Sequence, residues 1–83
     1  DLARPETHPF LRNRCLGEDA VTVAALGRAV AAAHLAGGVL PVIKHIPGHG
    51  RAFADSHKEL PTVHADLDHL DAWDFAPFKA LSD

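Results

Sequence analysis

The stretch that most restricts the architecture is Val39-Leu40-Pro41-Val42-Ile43. It is a short apolar run with β-branched residues, which reads as a strand buried on both faces. Proline has no N–H for a central ladder, so Pro41 is expected near the strand's start. A lone strand cannot satisfy its own backbone donors and acceptors, and this one must therefore pair with strands that the chain does not supply.

The flanking segments are helical. Asp19 can cap, and an alanine-rich stretch follows to Ala36, with Val23, Leu26, Val30 and Ala33 on one apolar face. Gly27 lies beside that face, where a missing side chain permits close packing, and Gly37-Gly38 ends the helix. A second helix is predicted from Asp66 to Ala80, burying Leu67, Leu70, Trp73 and Phe78, with Pro77 kinking or interrupting it. Residues 1–17 read as a loop, and a polar, glycine- and proline-rich stretch fills 44–62, too long for a simple connection. The order is loop, helix, strand, long loop, helix, which belongs to the α/β class. A complete (β/α)8 TIM-type barrel takes about 250 residues. The 83 residues are thus expected to be an excerpt of one such barrel, 1–83 forming part of a single domain. Asp1 in place of an initiator Met adds the expectation that the natural N-terminus lies elsewhere.

Composition removes several function classes. A net charge of -3 argues against nucleic acid as a partner, since such proteins usually carry a basic stripe. One cysteine cannot close an internal disulfide. No apolar run approaches the roughly 20 residues of a membrane span, and no signal-peptide pattern opens the chain. A membrane partner is not expected.

Seven histidines remain to be placed, and three of them, His45, His49 and His57, lie in the long loop. Catalytic groups in parallel α/β proteins gather at the C-terminal ends of strands, which is where Lys44 and His45 fall. Further along, Asp55-Ser56-His57 sets a carboxylate two residues from an imidazole. In an extended segment both point the same way, so Asp55 can orient His57 and leave its other nitrogen to exchange a proton. Equally open from the residues alone, Lys44 is a solvated lysine and His49 a hydrogen-bonding partner of its turn. The three histidines also admit a non-enzymatic metal- or ligand-binding module, although their Pro- and Gly-interrupted spacing excludes the helical His-x-x-x-His arrangement. A phosphate cradle at Gly48-His49-Gly50 lacks the P-loop pattern. His8, His34, His64 and His69 read as surface or cap residues.

The run Lys44-His45-Ile46-Pro47-Gly48-His49-Gly50 with Asp55-Ser56-His57 resembles the Lys-His-Phe-Pro-Gly-His-Gly…Asp-Ser-His signature of bacterial β-N-acetylhexosaminidases of glycoside hydrolase family 3. Nine of the ten motif residues are identical, Ile46 being the exception. Asn13-Arg14 with Leu16-Gly17, and Asp74 with Pro77-Phe78, resemble flanking segments of the family.

The resemblance implies a barrel that binds a terminal N-acetylglucosamine. Arg14, Lys44 and His45 match positions that contact sugar hydroxyls; His57 matches the acid/base and Asp55 its partner. It implies a retaining reaction whose nucleophile aspartate lies outside this chain, no cofactor and no metal. The small-carbohydrate substrate it implies is an N-acetylglucosaminyl-anhydromuramyl peptide from peptidoglycan, handled in the cytoplasm, with phosphorolysis as the alternative to hydrolysis. It further implies that the 83 residues act only with the rest of their barrel, that the bonds Lys44–His45 and Ile46–Pro47 are cis, and that the loop from His49 to Glu59 moves.

Overall fold

The computed structural model describes residues 1–82. Four helices are joined by long irregular segments: α1 (Pro9–Arg12), α2 (Ala20–Ala36), α3 (Leu67–His69) and α4 (Ala76–Leu81), with a π-helical turn over Leu70–Asp74 between the last two. The predicted strand does not form, and no strand is present among the described residues. A strand exists through its ladder, and the chain offers residues 39–43 no partner. Burial over Pro41–His45 nevertheless alternates, with Pro41, Ile43 and His45 half-buried and Val42 and Lys44 exposed. That period of two is the one an extended backbone imposes.

The long helix starts and stops as its residues dictate. The Asp19 side chain accepts the Thr22 N–H at 2.8 Å, filling one of the orphan donors of the first turn. At the other end Gly38 takes φ +83°, while the Gly37 and Val39 N–H groups donate to Ala33 and His34 carbonyls. Gly27 admits α4 to close contact: a Cβ there would stand 3.0 Å from Leu81 Cδ1.

The C-terminal helix is broken in two places by one cause. Asp66 caps it, accepting the His69 N–H at 2.8 Å. Pro77 has no N–H to offer the carbonyl of Trp73 four residues back, so a regular α-helix cannot run through. The chain widens instead, Phe75 N–H donating to Leu70 O at 2.8 Å, and restarts with Pro77 in the first turn of α4. Phe78 is buried and Leu70 half-buried as expected. Leu67 and Trp73 are not: Leu67 is 69% exposed and Trp73 39%, with the Arg4 guanidinium 5.8 Å from the Trp73 ring centroid.

Leu2, Leu11, Val23, Ala52 and Phe78 form the core. Two buried polar residues stitch distant segments to it. Thr7 donates its hydroxyl to Gly50 O at 2.6 Å and accepts the Arg4 N–H at 2.7 Å. Asp74 pairs with Arg51 at 2.6 Å between Nε and Oδ1, both side chains largely out of water. Together they fasten the two ends of the Gly50-Arg51 step, which carries the chain into the long loop.

Gly50 lies directly against the Leu2 carbonyl, and a Cβ at position 50 would overlap that backbone oxygen. Gly50→Ala is therefore expected to lower stability by more than about 3 kcal/mol in thermal unfolding. Gly37→Ala is the control, since a Cβ there meets nothing nearer than 3.5 Å and should change the transition little.

Candidate active site

The signature segment turns sharply between Lys44 and Gly50. The Lys44–His45 and Ile46–Pro47 bonds are both cis, as expected, and Gly48 takes φ +142° against the Cβ of Asp74. What holds the turn is Asp1. Its side chain is 2% exposed, and both oxygens are engaged: Oδ2 accepts the His45 N–H at 3.1 Å and faces His45 Nδ1 at 2.5 Å, while Oδ1 accepts the His49 N–H at 2.8 Å. The Asp1 backbone nitrogen also donates to Lys44 O at 3.3 Å.

This arrangement selects a state for His45. Burial lowers its pKa below the ordinary imidazole value, and the Arg14 and Lys44 cations act in the same direction. A neutral ring that donates from Nδ1 to Asp1 presents an unprotonated Nε2, an acceptor suited to a hydroxyl donor. Arg14 and Lys44, with Asp1, contribute to the wall of one cleft of about 500 Å³, whose floor is apolar and includes Val23, Val30, Ile43 and Phe78. Neither cationic head is hydrogen-bonded or ion-paired among the described residues, so their donors remain for a ligand. The structure thus places Arg14 and Lys44 on one cleft, while His45, next to Lys44 in the chain, does not line it and is held by Asp1. Sequence reasoning missed Asp1; its partners lie 44 and 48 residues away, and no local pattern marks such a link.

Asp55 and His57 form the expected pair. Asp55 Oδ1 accepts the His57 N–H at 2.9 Å and faces His57 Nδ1 at 2.8 Å, a side-chain turn closed on itself. The two bonds hold the Asp55 carboxyl below its usual range. Nδ1 is thereby occupied, and Nε2 of a ring 73% exposed is left to exchange a proton with whatever lies beside it. The pair does not line the cleft of Arg14 and Lys44. It is connected to His45 through a row of rings: Phe10 packs edge-to-face on His57 and on His49, and His49 lies 5.7 Å from His45. Phe10 was likewise not identified from the sequence.

His49 differs from the turn-bonding residue the sequence allowed. Its backbone N–H serves Asp1, but both ring nitrogens are sealed from solvent with no hydrogen-bond partner among the described residues. Nor do the three histidines of the loop converge on a metal: no group of three His, Cys, Asp or Glu side chains among the described residues is arranged to hold one. His45 Nδ1 is already committed to Asp1, His57 Nδ1 to Asp55, and the His49 ring is packed between Phe10 and His45.

The profile of the family described as glycosyl hydrolase family 3 N terminal domain matches residues 1–83. Beta-hexosaminidase LpqI of Mycobacterium tuberculosis is 44% identical over 81 residues, covering 98% of this chain and 21% of its own length. Beta-hexosaminidase A of Pseudoalteromonas piscicida is 38% identical over 81 residues, covering 98% and 14%. Among solved structures, zinc-bound CbsA from Thermotoga neapolitana superposes with a TM-score of 0.87 at 40% identity, covering 98% of this chain and 17% of that one. The chain therefore spans a fifth or less of the length of these relatives, apart from the LpqI figure just above it.

Because the Asp55 carboxyl is stabilised in its charged form by His57, its folded pKa lies below the unfolded value of about 3.9. The bonds are fully formed above that unfolded value and are lost as pH falls through the lower, folded one. A carbon-detected NMR titration of Asp55 should give a midpoint below about 3.9. A midpoint at or above it would contradict the pairing.

Proposed function

The chain belongs to the glycosyl hydrolase family 3 N-terminal domain family, and from that membership we propose that it is part of a retaining exo-β-N-acetylglucosaminidase built on a (β/α)8 barrel. Its relatives' name, beta-hexosaminidase, gives the reaction class of the parent protein. The observation that carries the mechanism is the Asp55–His57 pair, with one imidazole nitrogen bound and the other exposed.

In this reading Arg14 and Lys44 donate to hydroxyl or acetamido oxygens of the terminal sugar, and His45 Nε2 accepts from a hydroxyl. His57, protonated and held by Asp55, gives its Nε2 proton to the departing glycosidic oxygen while an aspartate from outside this chain attacks the anomeric carbon. The glycosyl-enzyme ester then forms as the C–O bond breaks. In the second step the now neutral Nε2 removes a proton from water, whose oxygen attacks the anomeric carbon and expels the aspartate carboxylate. Imidazole suits both halves because its pKa lies near neutrality, so each protonation state is accessible.

The fold supports an incomplete barrel. Leu40 and Val42 are 83% and 79% exposed, and the period-two burial across them is what a strand awaiting neighbours on both sides would show. The substrate we assign is a peptidoglycan-derived N-acetylglucosaminyl-anhydromuramyl peptide, and the compartment the cytoplasm. No helix among the described residues is long and apolar enough to cross a membrane. Zinc is named for the Thermotoga protein. The described residues here offer no three-ligand set for it, so no step is routed through a metal. Phosphorolysis is a second reading that the neutral histidine favours: unlike a carboxylate, it does not repel an incoming phosphate.

Full-length parent protein should hydrolyse an aryl N-acetyl-β-glucosaminide, and His57→Ala should lower kcat on a poor leaving group by about 100- to 10,000-fold. A leaving group that needs no proton should recover glycosyl-enzyme formation. Unchanged turnover by His57→Ala on the poor leaving group would remove His57 from the mechanism. Faster release of product in phosphate, with the sugar 1-phosphate formed, would assign phosphorolysis.

A further inference from the structure

We propose that Phe10 is a positioning residue for the acid/base: its ring, carried on α1, docks the His57 imidazole against the sugar-binding side of the site. The proposal rests on the assignment of His57 as acid/base made above.

The Asp55–His57 turn is tied almost wholly to itself. His57 bonds to Asp55, and the Lys58 and Glu59 N–H groups both donate to Asp55 O, all within five residues. The Asp55 bond fixes the ring relative to the turn but does not fix the turn relative to the rest of the molecule. Phe10 makes that second connection. Its ring centroid stands 5.8 Å from that of His57 with the planes at 86°, and 5.4 Å from that of His49 at 83°. Edge-to-face geometry at this separation is favoured because the positive edge of one ring meets the negative face of another.

Phe10 is itself held firmly. Its N–H donates to His8 Nδ1 at 3.2 Å, and the His8 ring packs beside it at 5.2 Å. The next residue, Leu11, is buried in the core. The Phe10 ring thus touches both the residue that would move the proton and His49, whose backbone N–H is bound by the Asp1 junction that also holds His45. Proton transfer to a leaving oxygen depends on where the donor nitrogen stands, and small misplacements are costly in rate. The row His57, Phe10, His49, His45 therefore relates the position of the acid/base to that of the sugar.

The test is made in the full-length parent protein with Phe10→Leu, which keeps apolar bulk without a ring, and Phe10→Tyr, which keeps the ring. Two N-acetyl-β-glucosaminides are compared, one with a dinitrophenyl leaving group and one with a sugar leaving group. Phe10→Leu should lower kcat/KM on the sugar leaving group by roughly 2- to 12-fold. It should leave the dinitrophenyl substrate, which needs little protonation, within about twofold of wild type, and Phe10→Tyr should match wild type on both. Equal losses on the two substrates indicate general damage and overturn the proposal, as does no loss on either. His57→Ala is run alongside: if it discriminates between the substrates and Phe10→Leu does not, Phe10 alone is wrong. If His57→Ala does not discriminate, the acid/base assignment falls and takes this proposal with it.

Discussion

The carboxylate of Asp1 is the interaction on which the site depends. The turn between Lys44 and Gly50 has no ladder to receive its backbone N–H groups. Asp1 receives two of these and the His45 ring besides, from a position almost fully withdrawn from water. A buried carboxylate is stable only when its lone pairs are used, and a neutral polar residue would serve this junction poorly. The dependence is mutual, since the turn gives Asp1 the donors that make its burial tolerable. From this follows the chemistry of His45, whose free nitrogen is an acceptor because the other one faces Asp1.

Around that junction the fold works as a set of clamps between remote segments. Thr7 reaches Gly50, Arg51 reaches Asp74, and Gly27 receives Leu81. Each bridges sequence distances that local preference does not govern, and each supports the entry to the long loop or the helix pair beneath it. The apolar core is small, so the two polar clamps, both largely buried, fix the course of the irregular segments.

Local chemistry explains which features could be read in advance. The Asp19 cap, the Gly37-Gly38 stop, the space at Gly27, the interruption at Pro77 and the Asp55–His57 pair all act within a few residues or through one missing atom. The assignment of Arg14, Lys44 and His45 to one site rests on motif resemblance; in the structure Arg14 and Lys44 share a cleft and His45 is tied to Asp1. Asp1, Phe10 and Thr7 were invisible because their partners are more than 38 residues away and their residue types are ordinary. Leu67 and Trp73 went the other way. The helical period marks them as core, but the π turn forced by Pro77 re-aims that surface, leaving Leu67 exposed and Trp73 under the Arg4 guanidinium. Residues 39–43 show the same limit: their composition reads as a strand, and no segment among the described residues pairs with them.

The self-bonded character of the Asp55–Glu59 turn has a consequence for how such an enzyme can change over time. A side-chain pair whose hydrogen bonds never leave its own five residues can be carried farther from, or closer to, the rest of the molecule without being dismantled. Selection can then tune its reach by altering residues 51–54 and 60–62, while the pair keeps its internal geometry. The Asp55–His57 unit is in that sense a cassette, and the spacing between Gly50 and Asp55 is its adjustable tether.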